Sequence, residues 1–259
     1  MILSGVKGVT VRGNNVKEII RGGVTLWEAP SKVDKYTWEG VFANIDNGTY
    51  ADVYKVGDTL ALDVGGKEYT VEIVAIDADD LADGSGKAPI TWFGKSNYES
   101  NRAMNPSLVA NDDGTYQEGT GSIGGWEKCE MRKHLHEVVK PLIAENVRNR
   151  IRTVTKYSNI RDVNGKIVKD DVTEDDVWLM SAAEYTGYSY YETKYPAIYK
   201  TTGKFVSSTG TYGSWLRTTG TYYKEKYTCM YYSSSNNKNV HDEEANATSY
   251  MAYAFGFCT

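Results

Sequence analysis

The sequence contains little cysteine. Its 259 residues include three cysteines, Cys129, Cys229 and Cys258. An odd and widely spaced set is not a disulfide framework, and the spacing matches no zinc-binding pattern. The sequence therefore predicts three buried or half-buried thiols, with no bound metal and no cofactor.

Long apolar runs and an excess of basic residues are missing too. No stretch approaches the roughly 20 consecutive apolar residues that a transmembrane helix needs. The formal net charge is −5, whereas nucleic-acid binding requires clustered Lys and Arg side chains that neutralise phosphates. We therefore expect neither membrane insertion nor nucleic-acid binding. The opening MILSGVKGVTVRG lacks the apolar core of a secretory signal, so an extracellular role is expected to depend on another route, such as cell lysis.

Tyrosine, in contrast, is abundant near the C-terminus. Of the 21 tyrosines, 14 lie between Tyr185 and Thr259, among many Ser, Thr, Asn and Gly residues. Aliphatic residues become rarer in the same region, so much of it is expected to be exposed. Rigid, amphipathic tyrosines beside small polar residues are typical of antibody-like binding surfaces.

Residues 1–30 have the pattern of a small β module. Apolar and polar residues alternate, and Gly-rich pairs mark the turns, which predicts strands at Gly8–Arg12, Val16–Ile20 and Val24–Trp27. So few short strands are marginally stable alone and need a partner surface. Ala29–Ser31 is interpreted as a linker to the rest of the chain.

Apolar spacing and turn residues predict an α+β fold for the remainder. The predicted helices are Tyr36–Asn47, Trp126–Glu145 with a break or kink at Pro141, Ile143–Val154 and a helical turn at Ser181–Tyr185. The predicted strands are Asp58–Val64, Glu68–Ile76, Pro89–Phe93 and Val177–Met180. Because the helices cluster in the middle and strands lie on both sides, the first and last strands are expected to meet in one sheet.

Several polar groups are interpreted as structural. The acidic loop 77–86 does not follow the ligand order of an EF-hand calcium loop, which favours a solvated turn. His134 and His136 are two positions apart on a predicted helix and point away from each other, which is poor geometry for a metal pair. No catalytic triad, paired-carboxylate or phosphate-loop signature is present.

Four ordered motifs resemble a family of domains common in gut Firmicutes and their phages. The motifs are GGWEKCEMRKHL (124–135), DDVWLMSAAEYTG (175–187), SWLRTTG (214–220) and FGFC (255–258). The family pattern combines a GGWxxCxMR helix, a WLR strand and a closing GFC strand. The resemblance covers roughly residues 36–259.

That family is similar in turn to the formylglycine-generating-enzyme type of C-type-lectin-like fold. Its two scaffold segments are matched by Leu179, Ser181 and Glu184 in the first and by Trp215, Leu216 and Arg217 in the second. We expect Trp215 in the core and Arg217 paired with a carboxylate such as Glu184. The same fold carries the variable proteins of diversity-generating retroelements, including phage tropism determinants, whose C-terminal part holds a diversified binding site.

The resemblance implies a C-type-lectin-like domain over residues 31–259, after an attachment or oligomerisation module at 1–30. The expected function is that of a receptor-binding adhesin of the phage tail, diversified by a retroelement, rather than an enzyme. We expect a homotrimer that is made in the bacterial cytoplasm, is carried with other proteins of the virion tail, and acts outside the cell. Its partner is expected to be a bacterial surface protein or glycan.

The candidate binding region spans about 207–254. Its candidate ligand-binding residues are Tyr212, Tyr222, Tyr223, Tyr227, Tyr231, Tyr232, Ser234, Asn236, Asn237, Asn239, Asn246 and Tyr250. Because side chains alternate along a strand, one tyrosine of each adjacent pair is expected to be exposed.

Two alternatives stay open. The first is a structural domain of a virion or cell surface, without a diversified ligand site. The second is an oxidase of the formylglycine-generating type, which requires a cysteine pair that holds copper. Cys229 and Cys258 are the candidates for that pair, although the surrounding sequence does not reproduce the cysteine motif of that family.

Overall fold

The computed structural model describes most of the chain between residue 34 and the C-terminus. The described residues are 10–11, 14–15, 18–21, 24–28, 34–187, 199–203, 205, 213–233 and 238–259. The helices are α1 Trp38–Asp46, α2 Tyr50–Val53, α3 Glu130–His134, α4 Lys140–Leu142, α5 Glu145–Arg148 and α6 Ala182–Thr186, with a π-helical segment, Leu135–Val139, between α3 and α4. The strands are β1 Thr10–Val11, β2 Asn14–Asn15, β3 Glu18–Arg21, β4 Val24–Glu28, β5 Thr59–Val64, β6 Lys67–Ile76, β7 Ile90–Gly94, β8 Glu99–Arg102, β9 Val154–Arg161, β10 Ile167–Asp175, β11 Val177–Trp178, β12 Ser214–Thr219, β13 Lys226–Ser233, β14 Lys238–Asn246, β15 Met251–Tyr253 and β16 Gly256–Cys258.

The N-terminal strands form two short antiparallel pairs. β1 pairs with β2, and β3 pairs with β4. β3, at Glu18–Arg21, overlaps the predicted second strand Val16–Ile20 and pairs with β4, whereas Asn14 and Asn15 of β2 precede that prediction and pair with Thr10 and Val11.

A five-stranded antiparallel sheet, in the order β11-β16-β7-β6-β5, lies at the centre of the fold. The last strand of the chain, β16, lies between β11 and β7, which confirms that early and late strands meet in one sheet. The four strands predicted for this part of the chain are confirmed within one or two residues at each end. The hairpin between β5 and β6 turns at Gly65 and Gly66, whose φ angles of 64° and 78° favour glycine.

The burial pattern of each strand reflects how many of its faces are covered. β5 alternates, with Leu60, Leu62 and Val64 buried between more exposed residues, whereas every residue of β7 is buried. Alternation of buried and exposed residues is typical of a strand with one covered face. A continuous run of buried residues is typical of a strand covered on both faces. Four tryptophans have no exposed area and anchor the core: Trp92, Trp126, Trp178 and Trp215.

The helices match the prediction at the start of the domain and differ from it in the middle. Helix α1 is capped by the Thr37 side chain, which accepts a hydrogen bond from the Gly40 N–H. The predicted helix Trp126–Glu145 begins at Glu130. Ahead of Pro141, which has no N–H to donate, the Lys140 N–H bonds to the carbonyl of Leu135 in a π-helical turn.

The prediction of a helix over Ile143–Val154 is wrong beyond α5. The Arg152 N–H donates to the Cys258 carbonyl at 2.9 Å, and the Thr153 carbonyl accepts from the Ala82 N–H at 3.0 Å. These long-range backbone bonds hold the segment extended into β9. Tertiary pairing therefore overrides the local helical pattern.

The remaining strands form a second group of sheets around the C-terminal part. β12, β13 and β14 form a three-stranded antiparallel sheet, β9 pairs with β10, and β8 pairs with β15. The described elements thus establish a mixed α+β fold of mostly antiparallel sheets. Within the described ranges, each helix is too short or too polar to cross a bilayer.

Candidate functional site

Glu184 and Arg217 form a buried ion pair beneath the C-terminal sheet. Both side chains have no exposed area, and one guanidinium nitrogen of Arg217 lies 2.5 Å from a carboxylate oxygen of Glu184. Arg217 also donates to the carbonyls of Leu179 and Tyr157, at 2.6 and 2.8 Å. Glu184 completes a capping box with Ser181 at the start of α6. The predicted partnership of Arg217 with Glu184 is confirmed, as is the burial of Trp215.

A second buried pair, Lys156 and Asp79, lies beside the first. Lys156 Nζ is 2.5 Å from Asp79 Oδ1 and 3.3 Å from Glu184 Oε1, and all three side chains have no exposed area. The interpretation of loop 77–86 as a solvated turn is therefore wrong for Asp79, because this carboxylate faces inward to a cation. A signal for Lys156 was present in the sequence, since it alternates in register with Val154 on the buried face of β9.

Stability is expected to fall in acid because of two buried carboxylates. Burial alone would raise the pKa of Glu184, but the charges of Arg217 and Lys156 and its hydrogen bonds lower this pKa from 4.5 to about 2. Burial likewise opposes the shift at Asp175, but His136 and Arg132 hold its pKa at about 2. Since both folded pKa values lie below the unfolded ones, this stability is present above about pH 4.5 and is lost as the pH falls toward 2. Thermal unfolding measured from about pH 6 to pH 2 should show a melting temperature that declines across that window, and a flat profile would contradict the assignment.

Three strongly exposed tyrosines lie at one end of the C-terminal sheet. Tyr222, Tyr223 and Tyr250 are 82%, 52% and 72% exposed. The first two lie in the turn before β13, and Tyr250 lies in the turn after β14. Lys226 pairs with Asn246, an exposed residue, so both turns are at the same end of the β13–β14 hairpin. A backbone bond of 2.7 Å from the Ala247 N–H to the Glu225 carbonyl joins them.

The other end of this hairpin carries a separate group of candidate residues. Ser233 pairs with Lys238, and β13 is eight residues long, so the two ends are roughly 25 Å apart. The backbones of Tyr231, Tyr232 and Asn239 lie at this tip, and the structure does not describe their side chains. Tyr212, Ser234, Asn236 and Asn237 lie outside the described residues altogether. The candidates therefore do not form one compact group.

Two further expectations about the tyrosines are wrong. Tyr227 has no exposed area and donates its hydroxyl to the Gly125 carbonyl at 2.9 Å, because it lies in the central strand of a sheet that is covered on both faces. Tyr227 is thus a core residue, not a ligand-binding one. Tyr222 and Tyr223 are both exposed, because they lie in a turn, where the alternation of a strand does not apply.

Beside Tyr250 the surface forms a cleft of about 370 Å³. Residues that line it include Asn101, Arg102, Pro106, Glu130, Thr248 and Tyr250. A second depression, of about 530 Å³, adjoins it and shares Pro106 and Glu130. Together they make a groove with polar walls and one exposed aromatic ring.

Buried groups fix the segments that form the cleft. Asn105, with no exposed area, accepts from the Glu130 N–H at 2.9 Å and donates to the Gly121 carbonyl at 2.7 Å. Its own N–H donates to the Ala247 carbonyl at 3.1 Å. The indole N–H of Trp215 holds the Arg102 carbonyl at 2.8 Å. Asn105 therefore connects the segments of Glu130, Gly121 and Ala247 through its side chain and its backbone N–H, which makes the cleft preformed.

Local sequence patterns did not predict this cleft. Asn101 and Arg102 belong to a weakly patterned segment, and Glu130 begins a helix far from the C-terminal region in the chain. Asn101 and Arg102 reach Tyr250 because Met251 pairs with Arg102 between β15 and β8, and Asn105 holds the Glu130 N–H beside them. Such pairing between distant short strands leaves no periodic signal in either segment.

The cysteines and histidines behave as structural residues. All three cysteines are buried and lie outside any disulfide bond among the described residues. Cys229 in β13 and Cys258 in β16 belong to different sheets, so they do not lie on neighbouring strands. His134 contacts the Tyr253 hydroxyl and His136 contacts Asp175, each at 3.0 Å, which confirms that the two rings point to different partners. Among the residues that the structure describes, no group of three or more His, Cys, Asp and Glu side chains could hold a metal ion.

The geometry described above is that of a preformed polar cleft on a rigid support, which is suited to non-covalent binding. No protein-family model, curated protein or solved structure matches this chain.

Proposed function

We propose that this chain is a receptor-binding adhesin of the phage tail type, and that it binds a glycan of the bacterial surface. The observation that carries the proposal is the cleft beside Tyr250, whose walls are joined by the side chain and the backbone N–H of the buried Asn105. A preformed site loses little conformational entropy on binding, which favours recognition by a fixed surface.

The proposal includes the C-type-lectin-like subtype of the α+β fold. Its support is that the two segments of the resemblance meet in space through the Glu184–Arg217 pair. The closing strand β16 lies inside the central sheet, as a scaffold strand does. Trp215, from the second segment, also holds a wall of the cleft through the Arg102 carbonyl.

The composition of the groove favours a sugar ligand. The exposed ring of Tyr250 offers an apolar face on which the C–H face of a pyranose can stack. Asn101, Arg102 and Glu130 supply amide, guanidinium and carboxylate groups that pair with hydroxyls. The adjoining depression extends the groove enough for more than one sugar unit.

The assembly that we propose is multivalent. A homotrimer, assembled through the N-terminal module and carried among other virion tail proteins, presents several copies of the cleft to one bacterial surface. Modest affinity at each cleft then becomes strong attachment, because the second and third contacts are intramolecular. Retroelement diversification of the C-terminal region, at the hairpin tip, would adjust the ligand range without altering the buried framework.

Binding to immobilised bacterial surface polysaccharides is expected to depend on Tyr250. Substitution Tyr250→Ala should weaken binding by about tenfold or more, because loss of an aromatic anchor removes about 1.4 kcal/mol or more. The matched control is Tyr36→Ala, which removes another exposed tyrosine, at the start of α1, and should leave binding unchanged. A polysaccharide array probed with the whole chain and both variants provides the measurement.

A third variant tests which end of the β13–β14 hairpin binds the ligand. If joint substitution of Tyr231, Tyr232 and Asn236 abolishes binding while Tyr250→Ala has no effect, the site lies at the hairpin tip and the cleft assignment is wrong. Binding to a surface protein but to no polysaccharide would refute the proposal that the ligand is a glycan. Binding to neither would favour a structural domain of the virion or cell surface.

A further inference from the structure

Lys156 and Asp79 are placed for a covalent reaction with each other. Their side chains have no exposed area, and Nζ and Oδ1 are 2.5 Å apart although the residues are 77 positions apart in the chain. One comes from β9 and the other from the loop between β6 and β7. The primary amine and the carboxyl group are the two functional groups from which an amide is made.

Proton transfer within this pair gives the two forms that react. Arg217 and Glu184 neutralise each other at 2.5 Å. The Lys156–Asp79 pair then carries no net charge, so transfer of one proton from the ammonium to the carboxylate gives an amine and an acid. The centroid of the Trp178 ring lies 3.5 Å from Nζ, so this ring covers one side of the amine.

Tyr199 connects the two reacting groups. Lys156 Nζ donates to the Tyr199 hydroxyl, and that hydroxyl donates to Asp79 Oδ1, each at 2.5 Å. Protons can therefore move from the amine to the leaving oxygen along one path. Burial and the neighbouring carboxylates Asp79 and Glu184 raise the pKa of Tyr199 well above its usual range, so the phenol retains its proton.

The second oxygen of Asp79 has a donor of its own. The Thr91 hydroxyl donates to Oδ2 at 2.5 Å. Negative charge develops on this oxygen when an amine adds to the carboxyl carbon, and a fixed donor at such a position stabilises the transition state. Glu184 Oε1, 3.3 Å from Nζ, faces the positive charge that develops on the attacking nitrogen.

We propose that Lys156 and Asp79 form an intramolecular isopeptide bond. Neutral Nζ attacks Cγ, the Nζ–Cγ bond forms, and the Cγ–Oδ1 bond breaks. Nζ loses a proton to Tyr199 while Tyr199 gives its own proton to Oδ1, which departs as water. The reaction consumes one amine and one carboxylic acid and yields one amide and one water, so it needs no oxidant or other reactant.

The bond would join β9 to the loop after β6 through the centre of the domain. This inference concerns the framework and does not depend on the nature of the ligand. A covalent connection of this kind resists unfolding under force, because it cannot open by local fraying as hydrogen bonds do.

Intact mass spectrometry of the denatured, purified chain tests the proposal. The expected mass is lower than the sequence mass by one water, about 18 Da. Trypsin should fail to cleave after Lys156, and a branched peptide containing Lys156 and Asp79 should appear. A full sequence mass together with cleavage after Lys156 would overturn the proposal, whatever the variants do.

Three variants separate this bond from an unrelated loss of water. Lys156→Arg keeps the charge and should restore the full mass, whereas Lys140→Arg, at a partly exposed ion pair with Asp176, should keep the loss. Asp79→Asn should release ammonia instead of water, so its product should have the same mass as the wild-type product. Tyr199→Phe should slow bond formation and leave an uncoupled fraction. Loss of water that persists in Lys156→Arg would refute the assignment.

Discussion

Replacing Arg217 by methionine is expected to lower the free energy of unfolding by about 3–5 kcal/mol, because it leaves a buried carboxylate without its partner. Glu184 has no exposed area, and the carbonyls of Leu179 and Tyr157 lose their donor in the same substitution. In a chain whose Lys156 is converted to an amide, Arg217 is also the cation that remains beside Glu184. The effect should then be at the upper end of the range.

Thermal unfolding measures this effect directly. For a domain of this size a loss of that magnitude corresponds to a decrease in melting temperature of roughly 10 °C. The matched control is Arg150→Met, because Arg150 pairs with Asp46 at 2.5 Å on the surface, with side chains 37% and 59% exposed. Exposed pairs contribute about 0–1 kcal/mol. Equal melting temperatures for the two variants would show that the buried pair does not support the framework.

The framework could be predicted from the sequence where its residues carry a local signal. Trp215 and Arg217 are two positions apart on a strand, so they share a face, and a charged group on an apolar face needs a partner. Ser181 and Glu184 have the spacing of a capping box, which marks the start of a helix. The helical turn at Ser181–Tyr185 was predicted from its local pattern, whereas the resemblance supplied the strand of Trp215 and Arg217 and the segment that contains Glu184.

The remaining parts depend on contacts between distant segments. Asp79 lies in an acidic stretch that has the composition of a surface loop, and only the fold brings Lys156 to it from 77 positions away. Asn105 has no pattern around it, yet its side chain and its backbone N–H join the segments of Glu130, Gly121 and Ala247. Composition identified the C-terminal tyrosines as a group, but the pairing of β13 with β14 decides which of them lie at the same end of that hairpin.

Tyr227 and Tyr222 provide the sharpest distinction between the framework and the binding surface. Tyr227→Ala is expected to lower the free energy of unfolding by about 3–5 kcal/mol, because removing a large buried aromatic ring leaves a cavity. The ring has no exposed area, and its hydroxyl holds the Gly125 carbonyl at 2.9 Å. Loss of the hydroxyl alone, in Tyr227→Phe, should cost about 1–3 kcal/mol, since a buried carbonyl then lacks its donor.

Urea denaturation with unchanged m-values measures these differences, and Tyr222→Ala is the matched control. Tyr222 is 82% exposed, so its removal should change stability by less than about 0.5 kcal/mol. Both residues lie within five positions of each other in a tyrosine-rich stretch, so composition alone predicts the same result for both. Equal losses of stability would mean that the turn before β13 packs into the core. Tyr222 would then not belong to the exposed surface at that end of the sheet.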